Sequence, residues 1–437
     1  MKLRNVGVLA AAAMIAVSAC NTPGGTPAAS TGGGGASQPP ASGGGSADKG
    51  TVNFAIELPQ QGSEKAASDP IINGIKLAVK DAGGAAGGYK IEIPQSVIKD
   101  DAAAGVHDPQ TGATNMTALV AIEGVVGVIG PLNSNVAATQ IPISSAAGLA
   151  QCSPANTNPD LTKGQPALDL RAGKPNNYVR VVTTDDVQGP AAAQYIYEEL
   201  GKKSVYIIDD TEIFGKGVAD TFEKAFKDFG GTVVKRDGAP KTTQDYVSLM
   251  TTAKSLNPES IYFGGVTASG GARILKAAVT AGLGDIPFVG PDGINDGDAT
   301  TKDSFLNLAG ADAKNSYSTL AGIGTFDGKE AFDKAYEDEY GQAATGYAAQ
   351  GYACAQIFLD ALGRAGAVAP AGDLVALREE MRKAVTDTAH TYKTIQGDIT
   401  FNADGDTSQL IVSIYSFDAA GGTWKFETQV DYAQAAS

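Results

Sequence analysis

From Thr51 onward one pattern recurs along the chain. A short apolar run rich in β-branched residues meets a small or polar break, and a longer stretch with helical spacing follows. VVGVI at 125–129 and SVYII at 204–208 are typical runs. Strands buried on both faces need such continuous apolar runs, and their repeated alternation with helices predicts parallel sheets covered on each side. The last runs, within Asp398–Phe401, Gln409–Phe417 and Thr423–Val430, alternate apolar and polar residues as antiparallel strands do. The expected fold class is therefore α/β, with doubly wound units. The part of the chain beyond Thr51 is long enough for two or three domains of about 150 residues.

The segment Gly130–Thr162 concentrates the features of a ligand site. The predicted strand ending at Ile129 runs into Gly-Pro-Leu-Asn-Ser-Asn, and a helix is expected from Val136 to Ala147, with Ser134 or a neighbour at its N-cap. Free N–H groups and the positive dipole end at such a start favour a carboxylate or phosphate. A second strand, Leu149–Cys152, breaks into Ser-Pro-Ala-Asn-Thr-Asn-Pro, whose Ser153, Asn156 and Thr157 carry donors and acceptors. Neighbouring loops at the carboxyl ends of parallel strands form the usual ligand crevice of an open sheet.

These residues, IGPLNSN followed by SPANTNPDLT, resemble the leucine/isoleucine/valine-binding family of periplasmic binding proteins, which feed ABC importers. The resemblance extends over nearly all of the chain from Thr51. It implies the type I periplasmic-binding-protein fold: two doubly wound α/β lobes joined by a three-crossing hinge. Lobe 1 would take 51–182 and 319–398, lobe 2 would take 183–318 and 399–437, and the crossings would lie near Val182–Asp186, Ser318–Gly322 and Gly397–Thr400. It implies an extracytoplasmic, monomeric protein that captures a small, branched-chain or other aliphatic amino acid and delivers it to an ABC permease.

The resemblance also assigns roles. The Ser134 hydroxyl and the backbone N–H of Thr157 would hold the ligand carboxylate. The Ala155 carbonyl and the Thr157 hydroxyl would accept from the ammonium, with Asn156 in the same loop. Asp292, in Gly-Pro-Asp-Gly, would supply the counter-charge, Phe214 would pack on the ligand, and Tyr347 would line the side-chain pocket. Each residue also has an ordinary reading: Ser134 as a cap, Thr157 and Asp292 as turn residues, Phe214 as a core aromatic at a helix start. The chain departs from the family at three places. Asp292 stands where the family has a glutamate, Ala67 where it has an aromatic residue, and Val266–Thr267 where it has a tyrosine after the paired glycines. Those changes reshape the pocket and weaken the case for leucine, isoleucine or valine. A short amide or organic acid as ligand, or a sensor role on the same fold, is the alternative.

The N-terminus reads as a processing segment. Lys2 and Arg4 precede the apolar run Val6–Val17, and Val-Ser-Ala-Cys resembles a lipobox, so residues 1–20 would be a lipoprotein signal peptide with Cys20 acylated and membrane-bound. An ordinary signal peptide beside a cysteine is the alternative. Residues 21–50 are Gly, Ser, Pro, Thr and Ala with almost no large apolar side chain, and would form a flexible tether.

The net charge of −15 argues against nucleic acid or an anionic bilayer as partner. No metal or cofactor is expected. Only His107 and His390 occur, neither in a metal or nucleophile motif, and no phosphate loop or dinucleotide fingerprint is complete, so an enzyme is not expected. The acidic pairs Asp185–Asp186 and Asp209–Asp210 read as solvated strand-end carboxylates or caps. Cys152 and Cys354 could be bridged or could be two buried thiols.

Overall fold

A computed structural model describes residues 49–432. The expected signal peptide, Cys20 and nearly all of the tether lie outside the described residues. Two seven-stranded sheets carry the chain. The first has the order Ala85–Ala86, Tyr89–Glu92, Thr51–Glu57, Val125–Ile129, Ala150–Ser153, Tyr178–Arg180, with Ile98–Lys99 also pairing Thr51–Glu57. All its pairings are parallel except that of Ala85–Ala86. The second has the order Thr232–Gly238, Ser204–Asp209, Ser260–Gly264, Phe288–Gly290, Ser316–Leu320, Ile411–Asp418, Thr423–Asp431. Its last two strands are antiparallel, as their alternation predicts, and the rest are parallel.

Both sheets therefore reverse their strand order at one place. In the first, the reversal falls between Thr51–Glu57 and Val125–Ile129; in the second, between Ser204–Asp209 and Ser260–Gly264. The loops leaving such a pair diverge to opposite faces and open a crevice. Each lobe contributes one crevice.

The apolar runs fill the interiors: Val125–Ile129, Ser260–Gly264 and Ala150–Ser153 are buried throughout. The helix Glu64–Asp81 packs on Ala348–Val368, which brings late sequence back onto the first sheet. That approach depends on glycine. A Cβ at Gly74 would lie 2.1 Å from the Ala348 carbonyl oxygen, and one at Gly351 would lie 2.6 Å from that of Ile71. Cys152 and Cys354 are bridged, with Cα atoms 5.9 Å apart, which ties the strand Ala150–Ser153 to the same helix.

Two local expectations change. Pro70, suited to a first helical turn, predicts a helix from about Pro70 to Ala82, but the first helix begins at Glu64 and Pro70 sits inside it. Tertiary bonds hold that early turn: Glu64 accepts from the His107 backbone N–H at 2.6 Å and from Asn133 Nδ2 at 2.8 Å. The acidic pairs are also mostly buried. Asp209 pairs with Arg236 at 2.8 Å, and Asp210 accepts from Ser269 Oγ at 2.7 Å. Asp185 is fully buried, and only Asp186 is exposed, beside Lys163 at 2.7 Å.

Candidate ligand cleft between the lobes

The crevice loops face one another around a cavity. From the first lobe come Glu64, Ala67, Leu132, Asn133, Ser134, Ala155, Gly346 and Tyr347. From the second come Phe214, Val266, Thr267, Ala268, Asp292, Gly293, Asn295 and Asp296. Five of the seven expected ligand residues thus meet here: Ser134, Ala155, Phe214, Asp292 and Tyr347. The departures Ala67, Val266 and Thr267 line the same space. The cavity volume is about 50 Å³, where one water needs roughly 10–15 Å³. That suits a small molecule better than a peptide or a sugar chain.

Chain geometry places the first-lobe residues. Gly130 turns the strand end at φ +130°, and a Cβ there would meet the Glu57 carbonyl oxygen at 2.0 Å, so only glycine fits. The helix that follows runs Ser134–Ala146, with Asn133 at its N-cap position and no side-chain capping bond. Asn133 spends its amide N–H on Glu64 instead. Ser134, on the first helical turn, is buried, and its Oγ accepts from Asn158 N–H at 3.4 Å.

The second loop is held from beneath by Arg180. This fully buried guanidinium donates to the carbonyls of Asn156 at 3.1 Å and Asn158 at 2.7 Å, to Thr162 Oγ1, and to Asp406 at 2.7 Å. It clamps the carbonyls on either side of Thr157. Asn156 does not line the cavity: its Nδ2 donates to the Leu132 carbonyl at 2.8 Å and its Oδ1 accepts from Tyr178 Oη at 2.8 Å, which fastens the two loops together. Thr157 is fully buried, with its hydroxyl beside the Asp185 carboxylate.

The second lobe brings carboxylates. Asp292 Oδ2 accepts from Tyr347 Oη at 2.8 Å, across the cleft, and Asp292 Oδ1 has no partner. Gln188 connects this residue to another acid. Its Oε1 accepts from Asp292 N–H at 3.2 Å and from Thr319 Oγ1 at 2.8 Å, while its Nε2 donates to Asp185 Oδ1 at 3.0 Å. Burial pushes Asp292 up to about 6; burial and then the charge of Asp292 push Asp185 up to about 8. Burial likewise lifts Asp296 to about 7, although Phe305 N–H donates to it at 2.8 Å. Among the described residues no lysine, arginine or histidine lines the cavity. A buried carboxylate without a counter-charge is costly, so the site favours a cationic group.

Further bonds span the lobes. Asn135 Nδ2 donates to Glu212 at 2.6 Å, Asn158 Nδ2 to the Ile213 carbonyl at 3.0 Å, and Lys241 Nζ to the His107 carbonyl at 3.2 Å. Arg180, Gln188 and Glu64 were not legible as site residues, because each acts through partners distant in sequence. The only trace of Arg180 is a charge within the apolar run Asn177–Thr183. No cluster of metal-ligating side chains exists among the described residues.

Two α/β lobes with facing crevices define a bilobed substrate-binding protein. The chain belongs to the periplasmic binding protein family, whose pattern matches residues 51–422, and within it to the Leu/Ile/Val-binding group that serves ABC importers. Its general role is that of the substrate-binding component of such an importer. A Leu/Ile/Val-binding protein homolog 2 of Brucella abortus is 28% identical over 362 residues, covering 82% of this chain and 88% of the relative. A leucine binding protein of Thermotoga maritima superposes with a TM-score of 0.74 at 24% identity, covering 87% of this chain and 99% of its own. A solute binding protein of R. palustris in complex with benzoate superposes with a TM-score of 0.71 at 22% identity, covering 87% and 96%.

Proposed function

We propose that the ligand is a free α-amino acid, captured between the lobes and passed to the permease of an ABC importer. The observation that carries this reading is the pairing of buried carboxylates with a cavity free of cationic side chains. An α-ammonium would answer Asp292 Oδ1 and, behind it, the field of Asp185. The ligand carboxylate would take the Ser134 hydroxyl, the Thr157 N–H and the uncapped helix start at Ser134. The Ala155 carbonyl and the Thr157 hydroxyl would complete the ammonium shell, with Asn156 holding the loop. Leu132, Ala155, Phe214 and Val266 offer apolar surface for an aliphatic stem, and Tyr347 joins that wall to Asp292. An acid lacking the amine would meet Asp292 with no compensation.

In the same proposal residues 1–20 are a lipoprotein signal peptide, Cys20 carries lipid, and residues 21–50 tether a monomer to the outer side of the membrane. Lobe 1 takes 51–182 and 319–398, and lobe 2 takes 183–318 and 399–437. Cys20→Ser should release the protein from membranes, read by fractionation and mass spectrometry.

Calorimetry against free L-amino acids, short amides and benzoate tests the ligand class. Binding of amino acids, with loss on blocking the α-amine, supports the reading. Binding of benzoate or a neutral amide alone overturns it.

A further inference from the structure

A second polar wall lines the cavity, separate from the Asp292–Asp185 pair. It consists of Asn133, Thr267, Asn295 and Asp296, backed by Glu64. The charge of Asp185 couples to Asp292, whereas that of Asp296 couples to Glu64.

Glu64 is committed to its own lobe. Its Oε1 meets His107 Nδ1 at 2.6 Å and Asn133 Nδ2 at 2.8 Å, and its Oε2 accepts from the His107 N–H at 2.6 Å. The bond from Nδ2 fixes the orientation of the Asn133 amide, so the carbonyl end is the free end. That Oδ1 is buried and has no partner. Across the cleft Asn295 Nδ2 is also buried without a partner, and Asp296 accepts from the Phe305 N–H at 2.8 Å with the Thr267 hydroxyl beside it. An aliphatic side chain would leave all of these unanswered, at a cost for each buried group.

We infer that the amino-acid ligand carries a second N–H donor at the end of its side chain, seated against Asn133 Oδ1 and Asp296. This inference rests on the amino-acid reading above and names the substrate class within it. A terminal amide answers the whole wall, since its N–H groups reach the two acceptors and its carbonyl accepts from Asn295. A terminal ammonium answers the acceptors alone. The apolar stem surface then serves the methylene chain, and the small Ala67 leaves space that an aromatic residue would fill.

The test is calorimetry of the intact chain with L-glutamine, L-lysine, L-norleucine and L-leucine. Norleucine matches the length of the lysine stem without its nitrogen. At least one donor-ended ligand should bind about tenfold or more tighter than norleucine, as sites built for a polar partner reject analogues that lack it. Glutamine in first place identifies the amide, lysine the ammonium. Asp296→Asn should shrink the preference over norleucine of whichever donor-ended ligand ranks first; an unchanged ratio removes Asp296 from the assignment and overturns the inference. Norleucine or leucine binding as tightly as both polar ligands also overturns it while leaving the amino-acid reading intact. Binding of none of the four defeats that reading, and the inference with it. The ranking on the unaltered chain decides the matter even where the variant folds poorly.

Discussion

Tyr347 Oη donates to Asp292 Oδ2 at 2.8 Å and accepts from the Ala321 N–H at 3.2 Å. One phenol therefore joins a helix start of the first lobe, a carboxylate of the second and the chain crossing between them. The bond favours the ionised form of Asp292, against the larger effect of burial. Tyr347→Phe should raise the Asp292 titration further and weaken ligand binding by about tenfold or more, the worth of a hydrogen bond to a charged group being ~1.5–3 kcal/mol. Calorimetry across pH reads both effects, and the loss should be largest on the acid side.

Ser134→Ala and Asp292→Ala should each weaken amino-acid binding with the fold retained. Asp292→Ala should lose more, because truncating one partner of a buried charge pair costs ~2–5 kcal/mol. Equal affinity in both variants and the parent, measured by calorimetry, would remove these residues from the site.

Acidity acts in opposite senses on binding and on the empty fold. Asp292 at about 6 and Asp185 at about 8 are partly protonated near neutrality. An ammonium ligand selects the ionised pair, so affinity should rise with pH through that window, with proton release visible as buffer-dependent heat. The unliganded fold should behave conversely. Asp292, Asp185, Asp296 and Glu57 all titrate above the ordinary carboxylate range, Glu57 near 7 through burial. The folded state then holds more protons than the unfolded chain, so stability is fully present below the unfolded values of about 4 and declines as pH rises through the folded ones. Melting should be higher near about pH 5 than near about pH 8, and saturating ligand should narrow that gap.

Arg180→Met should destabilise the protein by ~3–5 kcal/mol, because it breaks a buried ion pair and leaves Asp406 only the more distant Lys163, at 3.8 Å. It should also free the loop around Thr157. Denaturation reads the first effect, and a faster ligand off-rate in the surviving folded protein reads the second.

Breaking the Cys152–Cys354 bridge, by Cys354→Ser or by reduction, should cost ~2–5 kcal/mol. Calorimetric scans with and without reductant measure it. Ligand affinity should change less than stability, since the bridge lies under the cleft rather than in it.

The sequence revealed what local chemistry controls. Runs such as Val125–Ile129 suited buried strands, and Gly130 with Ser134 marked a loop where such a strand ends. Ala155, Phe214, Asp292 and Tyr347 stood out only through the family resemblance, not through local chemistry. Long-range partnership was not legible. Pro70 suggested a helix start, but Glu64, held by His107 and Asn133, begins the helix a turn and a half earlier. Asp209 and Asp210 looked solvated because Arg236 and Ser269 lie far along the chain. The two cysteines are separated by 202 residues, and nothing near either one announces the other.

The second sheet closes late in the life of the chain. Ser316–Leu320 takes Ile411–Asp418 as its neighbour, and the intervening residues belong mostly to helices on the other lobe. While the polypeptide emerges from the ribosome, that strand edge stays unpaired until the segment ending at Asp418 has been made. Neither half can therefore be a finished folding unit in an N-terminal fragment. A premature stop after Leu320 would leave an open hydrogen-bonding edge, the kind of edge that recruits other chains.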